Sequence, residues 1–234
     1  MKKLAILDTE TTDLDECTGD MWEIALILRD LRQPLLGDVE YWWQVRPDLT
    51  NASPASVQIG RYYERSRVTS ANMGWGKRLY PGTGEPGSGW MRAYTGNPLT
   101  LGDFYRDERS TYIAEQLARH LDGATVVANN PTHDRKFLAK FLRAHGQILT
   151  AHHWMLNVRD LLIGFIDGRL SMAQSIDEAF REDIIPYVAD WLEGAATSPS
   201  WEIVDVTQDP ATKHTALGDA RLVRDVYDAI RGSR

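Results

Sequence analysis

The chain has 234 residues, 43% apolar and 25% charged, which is typical of a globular protein with a substantial core. No apolar stretch is long enough to span a membrane, the run Leu4–Leu7 is too short for a secretory signal, and the single cysteine, Cys17, excludes an internal disulfide framework. We therefore expect a cytoplasmic protein without membrane contacts. Its net charge of −7 is unfavourable for nucleic-acid binding, unless clustered acids bind divalent cations that cancel part of the charge.

The first part of the chain predicts three strands with short connections. Apolar and β-branched runs over 3–8, 22–28 and 39–45 predict the strands, and the polar, glycine-containing stretch 13–20 predicts a turn. This succession is typical of an antiparallel meander. From about 47 to 107 the regular pattern fades, and this aromatic- and glycine-rich stretch predicts a long insertion with a function of its own.

The rest of the chain alternates between helices and strands. The predicted helices cover 107–121, 132–144, 171–193 with a break before Pro186, and 215–231, and the predicted strand is 124–128. Residues 154–166 predict a strand that continues as a helix, and 194–213 predict irregular structure. This order is that of one mixed α/β domain over 1–234, with insertions at about 47–107 and 167–205. Trp154, Trp191 and Trp201 are predicted to lie in the core.

Acidic side chains follow two of the predicted strands. Asp8 and Glu10 end the first apolar run, and both carboxylates are expected to face one site because alternate strand residues point the same way. Asp134 lies in the first turn of the helix after strand 124–128, where Asn130 is expected to hold the turn through its side chain. Each acid also has an alternative explanation when taken separately. Asp8 and Glu10 could lie on a solvent-exposed strand edge, and Asp134 could be placed for its favourable interaction with the helix dipole.

A histidine and an acid stand at the start of the closing helix. The spacing His214-x4-Asp219 places the histidine in the loop and the acid within the helix, where the histidine can act as a general base. The alternative is a surface histidine next to an ordinary helix acid. If the acids of all three segments gather at one sheet edge, Mg²⁺ or Mn²⁺ would relieve their repulsion, because these cations prefer oxygen ligands.

Taken together, the three segments resemble the motifs of one family. The segments are Asp8-Thr-Glu10-Thr-Thr, Asn130-x3-Asp134 and His214-x-Ala216-x2-Asp219-Ala220. In this order they resemble the DEDDh 3′–5′ exonucleases, which include the proofreading subunit of bacterial replicative polymerase, oligoribonuclease and ribonuclease T. Two neighbouring positions depart from the family pattern. Asp13 stands where the family usually has glycine, and His133 where it usually has an aromatic residue.

The resemblance implies a ribonuclease-H-like mixed sheet flanked by helices and hydrolysis of a phosphodiester with two divalent cations, Mg²⁺ or Mn²⁺. It also implies that Asp8 bridges both cations, that Glu10 and Asp219 complete the first, and that Asp134 serves the second. His214 would take the proton from the attacking water. The residues expected to contact the terminal nucleotide are Thr11, Thr12, Leu14 and Asn130.

The insertion carries a local excess of positive charge among aromatic residues. Between 61 and 94 there are six basic residues against two acidic ones. Because arginine interleaved with aromatic residues suits stacking of unpaired bases, we expect a nucleic-acid surface here. Its candidate residues are Arg61, Arg65, Arg67, Trp75, Lys77, Arg78, Trp90 and Arg92. The alternatives are tryptophans that fold back onto the body, or a dimer contact.

The expected function is a metal-dependent 3′–5′ exonuclease that acts on single-stranded 3′ ends and releases nucleoside 5′-monophosphates, with DNA slightly favoured. One alternative is an exoribonuclease that trims RNA or short oligoribonucleotides. The alternative of another class is a non-catalytic nucleic-acid- or polymerase-binding module. Single-stranded nucleic acid is the expected partner in each case, and a DNA polymerase or a homodimer is the expected protein partner if the insertion docks one.

Overall fold

The computed structural model describes residues 3–33, 37–66, 108–176 and 201–232. Within these ranges the strands are β1 (Lys3–Thr11), β2 (Met21–Asp30), β3 (Val39–Gln44), β4 (Thr125–Ala128) and β5 (Leu156–Asn157). The α-helices are α1 (Pro54–Ile59), α2 (Tyr62–Arg65), α3 (Glu108–Leu121), α4 (Pro131–Ala144), α5 (Val158–Ile176) and α6 (Ala216–Arg231), with a 3-10 helix at Trp201–Val204.

The strands form one mixed sheet in the order β3-β2-β1-β4-β5. The first three strands are antiparallel neighbours, as the meander prediction requires, while β4 is parallel to β1 and β5 is parallel to β4. This arrangement confirms the predicted ribonuclease-H-like α/β fold. Because β1 and β4 are parallel, the segments that follow them leave the sheet at the same edge.

Helices cover both faces of the sheet, so β1 is buried along most of its length. Leu4 and Ile6 pack on one face with side chains of α5 and α6 such as Leu162. Ala5 and Leu7 pack on the other face with side chains of α3 and α4. Burial of each leucine or isoleucine side chain among them stabilises the fold by about 1.5–3 kcal/mol. The even-numbered residues of β1 therefore face α6.

Three elements differ from the predictions. β1 continues past residue 8, since its pairing with β2 extends to Thr11 opposite Met21 after a register shift. The insertion is helical at its start, where α1 and α2 pack through Val57 and Tyr62 onto Trp22 of β2. α5 begins within the predicted segment 154–166 but continues to Ile176. Among the described helices, none is long and apolar enough to cross a membrane.

The tryptophan predictions have different outcomes. Trp154 is 72% exposed and stacks edge-on against the rings of His152 and His153, so its predicted place in the core is wrong. It precedes the two-residue strand β5, which offers too little sheet to cover an indole. Trp201 is half-buried and packs against the core beside α6, in partial agreement with the prediction. Trp191 lies outside the described residues.

Candidate metal-binding active site

Three of the predicted acids converge at the end of β1. Asp8, Glu10 and Asp219 each offer one carboxylate oxygen, and these three atoms lie within 4.8 Å of one another. Asp8 and Glu10 come from the same face of the strand, as the alternation of strand side chains predicts. Asp219 reaches them from the first turn of α6, which packs on that face of the sheet.

The capping of α6 fixes the position of Asp219. The Thr215 hydroxyl accepts a hydrogen bond from the Gly218 N–H at 3.0 Å, and the Thr215 carbonyl accepts one from the Asp219 N–H at 2.8 Å. Gly218 is required here, because a Cβ at this position would lie 2.2 Å from the Thr212 carbonyl oxygen. The acid is therefore held in the first helical turn, where the helix dipole favours a negative charge.

The fourth acid, Asp134, approaches from the other side of β1. It is 3% exposed and accepts a 2.7 Å hydrogen bond from the hydroxyl of Thr9, the residue between Asp8 and Glu10. It lies outside the group of three, yet its charge is near enough to raise the pKa of Asp8. The turn before it is held by the backbone carbonyl of Asn130, which accepts from two N–H groups of α4. The Asn130 side chain makes no capping bond, so its predicted role in the turn is wrong.

Burial and mutual repulsion make these acids reluctant to ionise. Burial, followed by the charges of Asp134 and Asp219, raises the pKa of Asp8 well above its ordinary value. Burial raises the pKa of Glu10 to about 7 against the opposing charge of Arg65, and burial also raises the pKa of Asp134 to about 7. Burial raises the pKa of Asp219 as well. A bound divalent cation would reverse these shifts, and an all-oxygen donor set fits Mg²⁺ or Mn²⁺.

His214 lies on the rim of this site. Its side chain is exposed, and its backbone has a φ of 56°, in the left-handed region. A cavity of about 270 Å³ is lined by His214 and Asp219 together with Gln208, Lys213 and Arg159. The Gln208 amide donates to the Asp219 carboxylate. The predicted histidine and acid thus share one cavity, which also presents two cationic side chains.

The residues expected to contact a terminal nucleotide have different environments. Leu14 is 80% exposed and projects from the turn that follows the acids, which is compatible with such a contact. Thr12 is fully buried, and its hydroxyl accepts from the Asp20 N–H at 2.8 Å, which contradicts a contact through its side chain. Thr11 is also buried, and its hydroxyl donates to the Asp13 carbonyl at 2.7 Å.

The two departures from the family pattern have structural explanations. The Asp13 carboxylate closes the turn, since it accepts from the Leu14 N–H at 2.6 Å and from the Thr18 hydroxyl at 2.9 Å. These bonds lower the pKa of Asp13. The His133 ring packs on Phe137 with ring centroids 4.8 Å apart, and so fills the position of an aromatic residue. Neither departure removes a carboxylate from the site.

The candidate nucleic-acid surface is only partly within the described residues. Arg61 is exposed on the Gly60–Arg61 turn and pairs with Glu64. The Arg65 side chain is 14% exposed and pairs with the buried Glu23, so its prediction as a surface residue is wrong. Two further residues were not predicted from the sequence, the exposed Tyr63 next to the same turn and the buried Glu23. A charged residue inside the apolar run of β2 was the available signal for Glu23. Arg67, Trp75, Lys77, Arg78, Trp90 and Arg92 lie outside the described residues.

Comparisons with known proteins agree with the fold. The chain is similar to the zinc-bound complex of E. coli exonuclease I with single-stranded DNA, with a TM-score of 0.56 and 11% identity over 100% of this chain and 41% of that one. It is also similar to a product-bound exonuclease I structure, with a TM-score of 0.50 and 11% identity over 99% and 44% of the two chains. No protein-family model and no curated protein matches the sequence.

These comparisons define a class rather than a particular protein. The chain spans less than half the length of the exonuclease I structures, and at this identity the likeness establishes the fold alone. The class is an α/β protein with a ribonuclease-H-like fold and an acidic cluster at the end of its central strand.

Proposed function

We propose that the chain is a metal-dependent 3′–5′ exonuclease of the DEDDh type that hydrolyses phosphodiester bonds at single-stranded 3′ ends and releases nucleoside 5′-monophosphates. The observation that carries this proposal is the convergence of Asp8, Glu10 and Asp219 within 4.8 Å, with Asp134 buried on the other side of the same strand. Uncharged side chains would serve the fold equally well at the end of this strand, so four acids with raised pKa values there indicate a function.

The proposed cofactors are two divalent cations, Mg²⁺ or Mn²⁺, held by Asp8, Glu10, Asp134 and Asp219. Such cations supply an activated water and stabilise the departing 3′ oxygen. His214 accepts the proton of the attacking water, since its exposed side chain lines the same cavity as Asp219. Gln208 orients the Asp219 carboxylate through its amide. The raised pKa values support this assignment, because a cation would stabilise the ionised form of acids that burial and mutual repulsion otherwise keep protonated.

Surface features near the acids support a single-stranded substrate. The exposed Leu14 and Tyr63 offer apolar and aromatic contact for unpaired bases, while Arg159 and Lys213 line the cavity and can bind phosphate. Gly60, three residues before Tyr63 in the chain, lies next to the acids, since a Cβ at this position would be 3.2 Å from Glu10 Oε2. DNA is the first choice, since the similar exonuclease I structure is a complex with single-stranded DNA.

An exoribonuclease is the second choice, because the acidic cluster performs the same hydrolysis on either sugar. The expectation of a polymerase partner or a homodimer remains a prediction. A non-catalytic binding module is disfavoured by the four acids, since binding alone needs no such costly cluster.

The test is product analysis on two 5′-labelled single strands, one DNA and one RNA of the same sequence, with Mg²⁺, Mn²⁺ or EDTA. We expect a ladder that shortens from the 3′ end, requires metal, and forms faster on DNA. Asp8→Ala should lower the cleavage rate by roughly 10³-fold or more while the protein stays folded. Asp122→Asn, which removes an exposed acid after α3, is the matched control and should retain the rate.

Three outcomes would change the proposal. Faster shortening of RNA would make the chain an exoribonuclease. Internal cuts or shortening from the 5′ end would contradict the proposed direction. Binding of either strand by folded protein, without cleavage in either metal, would leave only the binding module.

A further inference from the structure

A buried ion pair connects α2 to the loop that carries His214. Glu23, on β2, is 1% exposed and forms a salt bridge with Arg65, the last residue of α2. Neither residue belongs to the three acidic segments. In the antiparallel register, however, Glu23 lies directly opposite Glu10, so the pair adjoins the candidate site.

Other donors hold Glu23 in a fixed orientation. One carboxylate oxygen accepts from Trp42 Nε1 at 2.9 Å and from Gln44 Nε2 at 3.0 Å, both on β3. The other oxygen accepts from the backbone N–H of Ala216, the first residue of α6, at 3.0 Å, and from Arg65. A buried carboxylate with donors on both oxygens has little freedom to move, so it is a rigid anchor for Arg65.

Arg65 extends from this anchor to the catalytic loop. Its Nη1 donates to the carbonyl of Gly60 at 2.6 Å and to the carbonyl of His214. Its guanidinium also lies 5.0 Å from the ring centre of Trp22, which limits its movement. The planar guanidinium can reach Glu23 with one nitrogen and His214 with another, a geometry that lysine cannot reproduce.

His214 needs such support because its backbone is in a disfavoured conformation. Its φ of 56° lies in the left-handed region, which a residue with a side chain adopts only when its surroundings hold it there. Its carbonyl accepts from Arg65, and the N–H of the next residue, Thr215, donates to the Thr212 carbonyl at 3.2 Å. The peptide group that follows His214 is thus held by α2 and by its own loop.

We infer that Arg65 is a positioning residue that holds His214 in its working conformation, with Glu23 as its anchor. This inference rests on the proposed function for its effect on catalysis. Arg65 is nearly buried and bonds a backbone carbonyl, so it acts through His214 and does not touch the substrate. Its loss should therefore lower kcat and leave KM almost unchanged.

The experiment compares Arg65→Gln with the wild-type enzyme and with Arg224→Gln. Arg224 is a matched control, because it too is an arginine at the end of an ion pair with a buried glutamate of the sheet, in its case Glu40. Unlike Arg65, it bonds no residue of the His214 loop. We expect Arg65→Gln to lower kcat about 10- to 100-fold with KM within twofold. Arg224→Gln should retain kcat at a temperature where it is folded. Methylguanidine should partly restore the kcat of Arg65→Ala.

A second measurement follows His214 directly. In protein labelled with ¹⁵N-histidine, which gives six backbone signals, the His214 amide is assigned by its loss in His214→Gln. Arg65→Gln should shift or broaden this signal, and Arg224→Gln should not. If Arg65→Gln fails to fold, Arg65→Lys takes its place, since it keeps a positive charge beside Glu23 and loses the Nη1 contacts with Gly60 and His214.

The outcomes separate this inference from the proposed function. Unchanged kcat in Arg65→Gln, or an equal loss in Arg224→Gln, would overturn the catalytic positioning. An unmoved His214 signal would overturn the support of the loop. If wild-type protein cleaves neither DNA nor RNA, the proposed function fails, and the His214 signal alone then decides whether Arg65 holds the loop.

Discussion

Replacement of Asp134 by asparagine should stabilise the metal-free protein at neutral and alkaline pH. The carboxylate is 3% exposed, and burial raises its pKa from 3.8 to about 7. Asparagine has the same shape and keeps an oxygen that can accept the bond from Thr9, now 2.7 Å from Asp134. The substitution thus removes the charge with little change in packing, and it removes the cost of ionising a buried acid near Asp8.

The pKa shift of Asp134 determines how much stability Asp134→Asn gains over wild type and how this difference depends on pH. Below pH 3.8 the acid is protonated in both the folded and unfolded states, so its titration costs nothing. Between pH 3.8 and about 7 only the unfolded state releases the proton, so stability falls by about 1.4 kcal/mol per pH unit. Above that range both states are ionised and the cost is constant. The full shift corresponds to about 4 kcal/mol, a ceiling because a real interior relaxes around a charge.

Urea unfolding in EDTA at pH 5, 6, 7 and 8 measures this difference. The advantage of Asp134→Asn over wild type should grow from pH 5 to pH 7 and then level off. Saturating Mn²⁺ should reduce it, because the cation compensates the charge in the wild-type protein. Asp122→Asn controls for the loss of one negative charge at an exposed position. An advantage that stays flat across this range, or a destabilised Asp134→Asn at pH 8, would refute the reasoning.

Three further predictions concern the helix that carries Asp219 and the metal. In urea unfolding, Gly218→Ala should destabilise the protein by roughly 3 kcal/mol, since its Cβ would lie 2.2 Å from the Thr212 carbonyl oxygen. Gly164→Ala is the control: the middle of α5 is open at this position, so alanine should stabilise the protein by about 0.5–1 kcal/mol. Glu40→Ala should cost roughly 2–3 kcal/mol in the same assay, because it leaves Arg221 and Arg224 without their partner at the sheet; an unchanged unfolding midpoint would contradict this. Mn²⁺ at 100 times its Kd should raise the free energy of unfolding of wild-type protein by about 2.7 kcal/mol for each site that it fills, and no rise at any concentration would argue against a metal site.

The parts of the site that could be predicted from sequence depend on local geometry. Strand alternation places Asp8 and Glu10 on one face whatever else the chain does, and the structure brings them together. The start of α6 was predicted to within one residue, because an amphipathic run begins there. The pairing of the first three strands follows from the same patterns, since adjacent strands with short connections pair as neighbours.

The parts that could not be predicted depend on contacts between distant segments. Arg65 had the appearance of a surface residue, because nothing near it in sequence shows that Glu23 and the His214 carbonyl come within its reach. Trp154 was expected in the core from its chemistry alone, but the short β5 leaves it exposed. Thr12 resembled a substrate contact, yet its position after the register shift in β1 turns it toward Asp20.

Glu10 and Glu23 have different roles although they lie next to each other, one as a proposed metal ligand and the other as the anchor of Arg65. They are cross-strand partners on β1 and β2; Glu23 is 1% exposed, and Glu10 is half-buried. Glu23 accepts four hydrogen bonds from the protein, which fill both of its oxygens. Glu10 accepts none from any described residue, and burial raises its pKa to about 7. A carboxylate satisfied by the protein has no lone pair to offer, whereas one left without donors gains most from a cation. Glu23→Gln should therefore leave Mn²⁺ affinity within about threefold while Glu10→Gln weakens it at least tenfold in calorimetric titration, and equal losses would contradict this division of roles.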